Sequence, residues 1–187
     1  GGGLAPRLGV SVPALAFVWG LAEGTAFFLL PDTLLTATAL GSFRKALRQS
    51  GWALAGALVA GAVMFSFARR DPDGACAFVL RVPFVRSGMV DRADADFKQK
   101  GALAVLRGPA RGIPYKVYAV RAPENSMRAL PFLLASVPAR GLRFLLMAAG
   151  AAGVSRLLGP SRRRAAWTLW AVLWVLGYGQ YWAGVGP

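Results

Sequence analysis

Charged residues are missing from two long stretches of this chain, and that absence limits its fold more than any motif does. Gln49 to Ala68 runs 20 residues without a charge, and Ala165 to Pro187 runs 23. A helix needs roughly 20 predominantly apolar residues to cross a bilayer, so both stretches are long enough. A third candidate span covers Ala139 to Leu158, with Arg140 and Arg143 at its start and Arg156 near its end. Across the 187 residues only 16% are charged, against about 25% in a soluble domain. Water is therefore not the solvent expected for the whole surface, and the sequence predicts an integral membrane protein. The terminal stretch carries Trp167, Trp170, Trp174, Tyr178, Tyr181 and Trp182, and aromatic residues favour the headgroup level. Its spread of rings predicts contacts at both interfaces, with Arg162, Arg163 and Arg164 just before it as a cytoplasmic anchor.

Two further apolar regions are broken. Leu8 to Phe43 holds 36 residues with two charges, Glu23 and Asp32, and is interrupted by Pro13, Gly20, Gly24, Pro31 and Gly41. Leu103 to Val120 contains Arg107, Arg111 and Lys116, separated by Gly108, Pro109, Gly112 and Pro114. Proline lacks an amide donor, and a charge at mid-membrane costs about 2.5–3.5 kcal/mol on insertion scales. Irregular backbone at that depth survives only when buried in protein or lining a wet cavity. Both regions are thus expected to form re-entrant helical hairpins, broken at Pro31 and Pro114. A broken segment followed by a better span occurs twice, the layout of an inverted repeat with its site where the broken segments meet. The expected fold is an all-α integral membrane protein: spanning helices plus two re-entrant hairpins in a single domain. Its core covers about 12–160, and a transmembrane helix follows at about 165–187. Met89 to Gly101, between the halves, reads as a short amphipathic helix at the water surface. The opening Gly1-Gly2-Gly3 carries no fold information.

Six of the eight acids, Asp71, Asp73, Asp91, Asp94, Asp96 and Glu124, lie in the central polar part, leaving Glu23 and Asp32 alone in the apolar region. A carboxyl in an apolar medium favours its neutral form unless a cation sits beside it. Each is therefore a candidate proton carrier or the counter-ion of a buried Arg, and intramembrane acids are functional by default. The plain alternative is a helix-end residue; Asp32, after Pro31, suits a cap or first-turn position. Arg107, Arg111 and Lys116 form the complementary set. Guanidinium groups bind phosphate oxygens bidentately and an ammonium adds a point charge, so these cations are candidate lipid-headgroup ligands. The alternative is a loop enriched in Arg by the positive-inside rule. Arg140 and Arg143, spaced i,i+3, share one helix face and either snorkel to lipid phosphates or face the cavity. Gly56/Ala60 and Ala57/Gly61 are small-xxx-small pairs that let helices approach closely.

The chain has no histidine, which removes a Ser-His-Asp triad, a Cys-His pair and any His-ligated metal. Cys76 alone allows no internal disulfide. No cofactor or metal is expected. An intramembrane phosphatase would need a nucleophile and a base; Thr25, Ser87 and Ser136 are available, but there is no His, and no acid lies near Ser87 or Ser136 in sequence in the expected way, so the chain reads as a non-enzyme. The net charge of +14 invites a nucleic-acid reading, but the cations form no long basic stripe and alternate with segments unsuited to water.

At these residues the sequence resembles the DedA family, also called SNARE-associated Golgi or VTT-domain membrane proteins, and especially its YqaA-like branch. The first shared motif is Glu23-Gly-Thr-Ala-Phe-Phe-Leu-Leu-Pro31-Asp32-Thr33-Leu34-Leu35. The second is Phe97-Lys-Gln-Lys-Gly101 followed by Arg111-Gly112-Ile113-Pro114-Tyr115-Lys116, and the third joins Pro131-Phe-Leu-Leu-Ala-Ser136 to Arg140-Gly-Leu-Arg-Phe144. Together they cover roughly Phe17 to Phe144. The chain departs from the main branch where Tyr115 replaces a Gly and Lys116 stands one residue early in place of a second Arg. The resemblance implies a flippase or scramblase for an anionic lipid of the polyprenyl-phosphate type or a phospholipid. It also implies coupling to the proton gradient, residence in a bacterial inner membrane and assembly as a homo-oligomer. The competing class is a membrane scaffold or envelope-homeostasis factor whose buried ion pairs are structural.

Overall fold

Small residues decide how the first helices meet. The computed structural model describes residues 12–27 and 30–183, with backbone alone at Pro160 and 181–183. Phe28 and Leu29 of the first motif, the opening glycines, and 184–187 of the terminal stretch lie outside the described residues, as do the side chains of Tyr181 and Trp182. Helix α1 (Val12–Thr25) packs along α3 (Phe43–Arg70). Ala16, Gly20 and Gly24 recur every four residues on α1 and are buried, as are Ala53, Gly56, Ala57 and Ala60 of α3. A Cβ on Gly20 would strike the Ala53 carbonyl, and one on Gly56 would strike the Phe17 carbonyl. The backbones therefore touch, the close approach that small-xxx-small spacing permits. Gly61, expected in the same role, instead lies under the Tyr115 hydroxyl on another side of α3.

Helix α3 is delimited by its own chemistry. Ser42 caps its start through the Lys45 amide at 3.4 Å, and Arg69 and Arg70 occupy the last turn, where they oppose the helix dipole. Asp71 ends α3 and caps α4 (Pro72–Leu80), accepting from the Gly74 amide at 2.9 Å. Helix α2 (Asp32–Gly41) lies between α1 and α3 in sequence and packs mainly on α8 (Ala129–Leu158). Helix α5 (Ser87–Lys100) is amphipathic as expected, with Val90, Ala93 and Phe97 buried, but Asp96 is buried with them. A 3₁₀ segment (Gly101–Arg107) and the short α6 (Gly108–Arg111) follow. Gly112 then turns the chain at φ 65°, ψ 22°, a left-handed conformation that suits glycine. Pro114 opens α7 (Tyr115–Arg121), whose residues 115–120 are all buried.

Every regular element among the described residues is helical. Two helices, α3 with 28 residues and α8 with 30, are long and apolar enough to cross a membrane. Helix α8 starts ten residues before the expected span. Helix α9 (Arg163–Ala183) occupies most of the terminal stretch but does not reach the same apolarity, because Trp, Tyr, Gly and Gln180 dilute its aliphatic residues. Large apolar side chains cover the outside of the bundle. On α8, Leu134, Leu142, Leu146 and Leu157 are exposed, while Ala135, Ala139, Ala148 and Ala152 face inward. Phe132 and Phe144 fill the same inward face, and the exposed aliphatic side agrees with a helix long and apolar enough to cross a membrane.

The aromatic residues of α9 do more than mark an interface. Trp170 and Trp174 both donate to the Thr36 hydroxyl, at 2.9 and 3.1 Å. The Tyr178 hydroxyl accepts from the Leu30 amide and pairs with Thr33, each at 3.1 Å. Three ring residues at i, i+4 and i+8 thus attach α9 to α2.

Gly56→Val should lower stability in detergent by about 1–3 kcal/mol, the usual cost of overpacking. Gly51→Val, where an added Cβ meets nothing within 4 Å, should leave the unfolding midpoint nearly unchanged. Equal midpoints for the two variants would contradict the packing described.

Candidate functional site

Helix α8 carries the centre of the site. Arg140 and Arg143 stand one turn apart and reach two different helices. The Arg140 guanidinium forms an ion pair with Glu23 of α1; its Nη2 meets Oε2 and its Nη1 donates to Oε1 at 3.4 Å. Arg143 donates through Nε at 3.0 Å and Nη2 at 2.6 Å to Oδ2 of Asp32 on α2. Glu23 is 4%, Asp32 0% and Arg140 4% exposed, so three of the four charges have almost no water. A pair in such surroundings holds only when geometry and further contacts offset the loss of hydration. Arg140 gains them from two rings: its Cζ lies 5.3 Å from the centre of Tyr115 and 5.0 Å from that of Phe144.

A third cation joins them. Lys116, buried on α7, donates to the Phe27 carbonyl at 2.8 Å, which lies just beyond the end of α1. Carbonyls past the last turn of a helix have no intrahelical donor and need other partners. Asp32 is the first residue of α2 and follows Pro31, but its carboxylate makes no cap; it reaches across to α8 instead. Its Oδ1 and the Nε of Arg140 have no hydrogen-bond partner among the described residues. A buried carboxylate oxygen with no donor is unusual, and it leaves Asp32 with room for a proton.

These groups border a cavity of about 440 Å³ between α1, α6, α7 and α8. Glu23, Lys116, Arg140 and Arg143 supply its polar wall, and Leu30, Val85, Val105 and Ile113 part of its apolar one. The size lies within the range of small-molecule sites. Both broken segments contribute: Phe27 and Leu30 from the first, and Gly108, Gly112 and Pro114 from the second.

Arg107 and Arg111, grouped with these cations on sequence, stand elsewhere. Arg111 pairs with Asp96 at 2.9 Å and Arg107 with the same oxygen at 3.4 Å, while Tyr118 donates to the other oxygen at 2.7 Å. Their side chains remain 35% and 44% exposed, and neither lines the cavity. Arg107 and Arg111, grouped with Lys116 as candidate headgroup ligands, both meet Asp96, brought round by the 3₁₀ segment. Asp96 itself escaped the sequence reading. The signal was present, because it falls three residues after Ala93 and six after Val90 on the buried face of α5.

Beyond Asp96, Arg121 binds Asp94 through two bonds of 2.8–2.9 Å and Glu124 at 2.6 Å. The Asp94 bonds push the Arg121 pKa further up. Two of the three candidate nucleophiles are engaged: Thr25 donates to the Leu21 and Ala22 carbonyls, and Ser136 donates to the Phe132 carbonyl while accepting from Tyr115. No protein-family model, curated protein or solved structure matches this chain.

Asp96→Ala removes the shared partner of two half-exposed cations and strands a buried phenol, and should cost about 1–3 kcal/mol in unfolding experiments. Arg111→Ala, at a half-exposed position, should cost about 0–1 kcal/mol. A reversed order would contradict Asp96 as the anchor of this segment.

Proposed function

We propose that this chain is an integral membrane protein that moves an anionic lipid headgroup through the cavity between its two broken segments. The observation that carries the proposal is the Glu23–Arg140 pair, two opposite charges with almost no exposure in the wall of a cavity also reached by Lys116 and Arg143. Burying ions is costly unless a function or fold retains them. In this reading α1 with α2, and α6 with α7, act as re-entrant hairpins, an inverted pair whose breaks meet at mid-membrane. Helices α3, α8 and α9 span the bilayer. The resemblance to DedA proteins supports the same layout, a polyprenyl-phosphate or phospholipid substrate, a bacterial inner membrane and a homo-oligomer.

The charges suit the task. Lys116, Arg140 and Arg143 against Glu23 and Asp32 leave one positive charge around the cavity, and a proton on Glu23 raises it to two, which favours entry of an anionic phosphate. Carboxylates and phosphates compete for the same guanidinium. A proton taken up by Glu23 releases Arg140 to the phosphate; loss of that proton restores the pair and expels the headgroup. Asp32 and Arg143, one turn along α8, repeat the exchange. Arg107 and Arg111 act at the outer approach, attracting the headgroup while anchored to Asp96.

A structural reading has an observation of its own: both pairs tie α8 to a different helix, so they could serve only as bolts. Reconstituted vesicles separate the two. Glu23→Gln with Lys116→Ala should reduce headgroup movement about tenfold or more, to the protein-free rate, with expression retained. Flipping at the wild-type rate by that double variant would end the transport proposal. If the pairs are bolts alone, Glu23→Gln should instead cost about 3–5 kcal/mol of stability by stranding Arg140, with activity surviving in the molecules that fold.

A further inference from the structure

We propose a second lipid site, separate from the central cavity: one anionic phospholipid held with an acyl chain between α8 and α9 and its phosphate at the turn joining them. It rests on membrane residence but on no transport step. Helices α8 and α9 run antiparallel around Gly159 and enclose a cavity of about 430 Å³ whose lining is almost wholly apolar. Met147, Gly150 and Val154 form one wall, and Ala166, Leu173 and Trp174 form the other. From the level of Ala166 to that of Gly177 the slot extends roughly 16 Å at 1.5 Å per residue. The cause is the docking of α9. Its polar ring atoms reach past α8 to Thr33 and Thr36, so α9 is held by its hydrogen bonds to α2 while its contact with α8 stays thin.

The charge at one end of the slot names the occupant. Ser155 donates to the Leu40 carbonyl at 2.9 Å, and Ala46 packs with Ala148 and Ala152. The start of α3, the end of α8 and the start of α9 therefore share one end of the bundle. That end gathers Arg44, Lys45, Arg48, Arg156 and the Arg162–Arg164 triplet, seven cations with no salt-bridge partner among the described residues. Arg163 and Arg164 line a recess with Ser161 and Trp167, immediately beside Ala166 at the mouth of the slot. Two guanidiniums and a serine hydroxyl suit a phosphate diester, an indole suits the glycerol level, and the apolar slot suits a hydrocarbon chain. A soluble anion would leave the slot empty, and a zwitterionic lipid would leave the cations unmatched.

The test uses the full chain purified in a mild detergent. Retention of phosphatidylglycerol, phosphatidylcholine and inorganic phosphate is measured by native mass spectrometry, together with the unfolding midpoint. Phosphatidylglycerol should be retained about tenfold or more over phosphatidylcholine and should raise the midpoint, while inorganic phosphate should leave it in place. Arg163→Gln with Arg164→Gln, at exposed positions, should weaken phosphatidylglycerol retention about 30-fold. Gly150→Leu, where an added Cβ meets nothing within 4 Å, should block the slot and reduce retention at least tenfold. Equal retention of the two lipids, a midpoint shift with phosphate alone, self-association through this face that displaces the lipid, or unchanged retention in the Arg variant would each overturn the proposal. Retention is read without a flipping assay, so failure of this site and failure of transport are separate results.

Discussion

Two acid–arginine pairs one turn apart on α8 hold this molecule together at its centre. Hydration lost by a buried charge must be replaced by something, and here Arg140 takes Glu23 and two ring faces while Arg143 takes Asp32. The partners come from two helices separated by a non-helical link, so the ion pairs fix where α1 ends and α2 begins relative to α8. Lys116 secures the link itself through the Phe27 carbonyl. Lys116 of the second broken segment thereby joins the first, and the cavity lies where the two meet α8.

Around that centre the chain uses small residues where larger ones would be expected in a soluble core. Gly20 against Ala53 and Gly56 against Phe17 bring two backbones into contact, and a row of alanines on α8 faces inward. Lipid tails offer no hydrophobic reward for burying Leu, so dense packing of small side chains carries association. Many large aliphatic residues of α3 and α8 face outward, while Phe65, Phe132 and Phe144 are buried. This division supports residence in a bilayer independently of any motif.

Most of the helical layout was legible in the sequence because charge gaps and Pro–Gly breaks are local signals. Helix α3 surrounds the uncharged run 49–68, and Pro31, Gly112 and Pro114 mark breaks where they were expected. Glu23 and Asp32 also stood out, since an acid among apolar residues has no ordinary explanation. Their partners did not. Which arginine meets which acid depends on how distant helices cross, and spacing along the chain carries no record of that. Arg107, Arg111 and Lys116 form one set along the chain, yet the 3₁₀ segment turns both arginines toward Asp96 while Lys116 reaches Phe27. Asp96 was hidden by its neighbours: in a stretch with many charges, one more acid draws no notice until the buried face of α5 is traced. The rings of α9 were read as an interfacial belt for a similar reason, because composition reports that a Trp is present but not which hydroxyl it meets.

The Thr36 hydroxyl has a further consequence. It accepts two indole protons and gives its own to the Asp32 carbonyl at 2.6 Å, so its oxygen is saturated and has no spare valence for compromise. Any shift of the first turn of α2 must therefore drag both indoles or release them together. The backbone of Asp32, and with it the carboxylate that meets Arg143, is in this way geared to the seating of α9, with one threonine as the tooth.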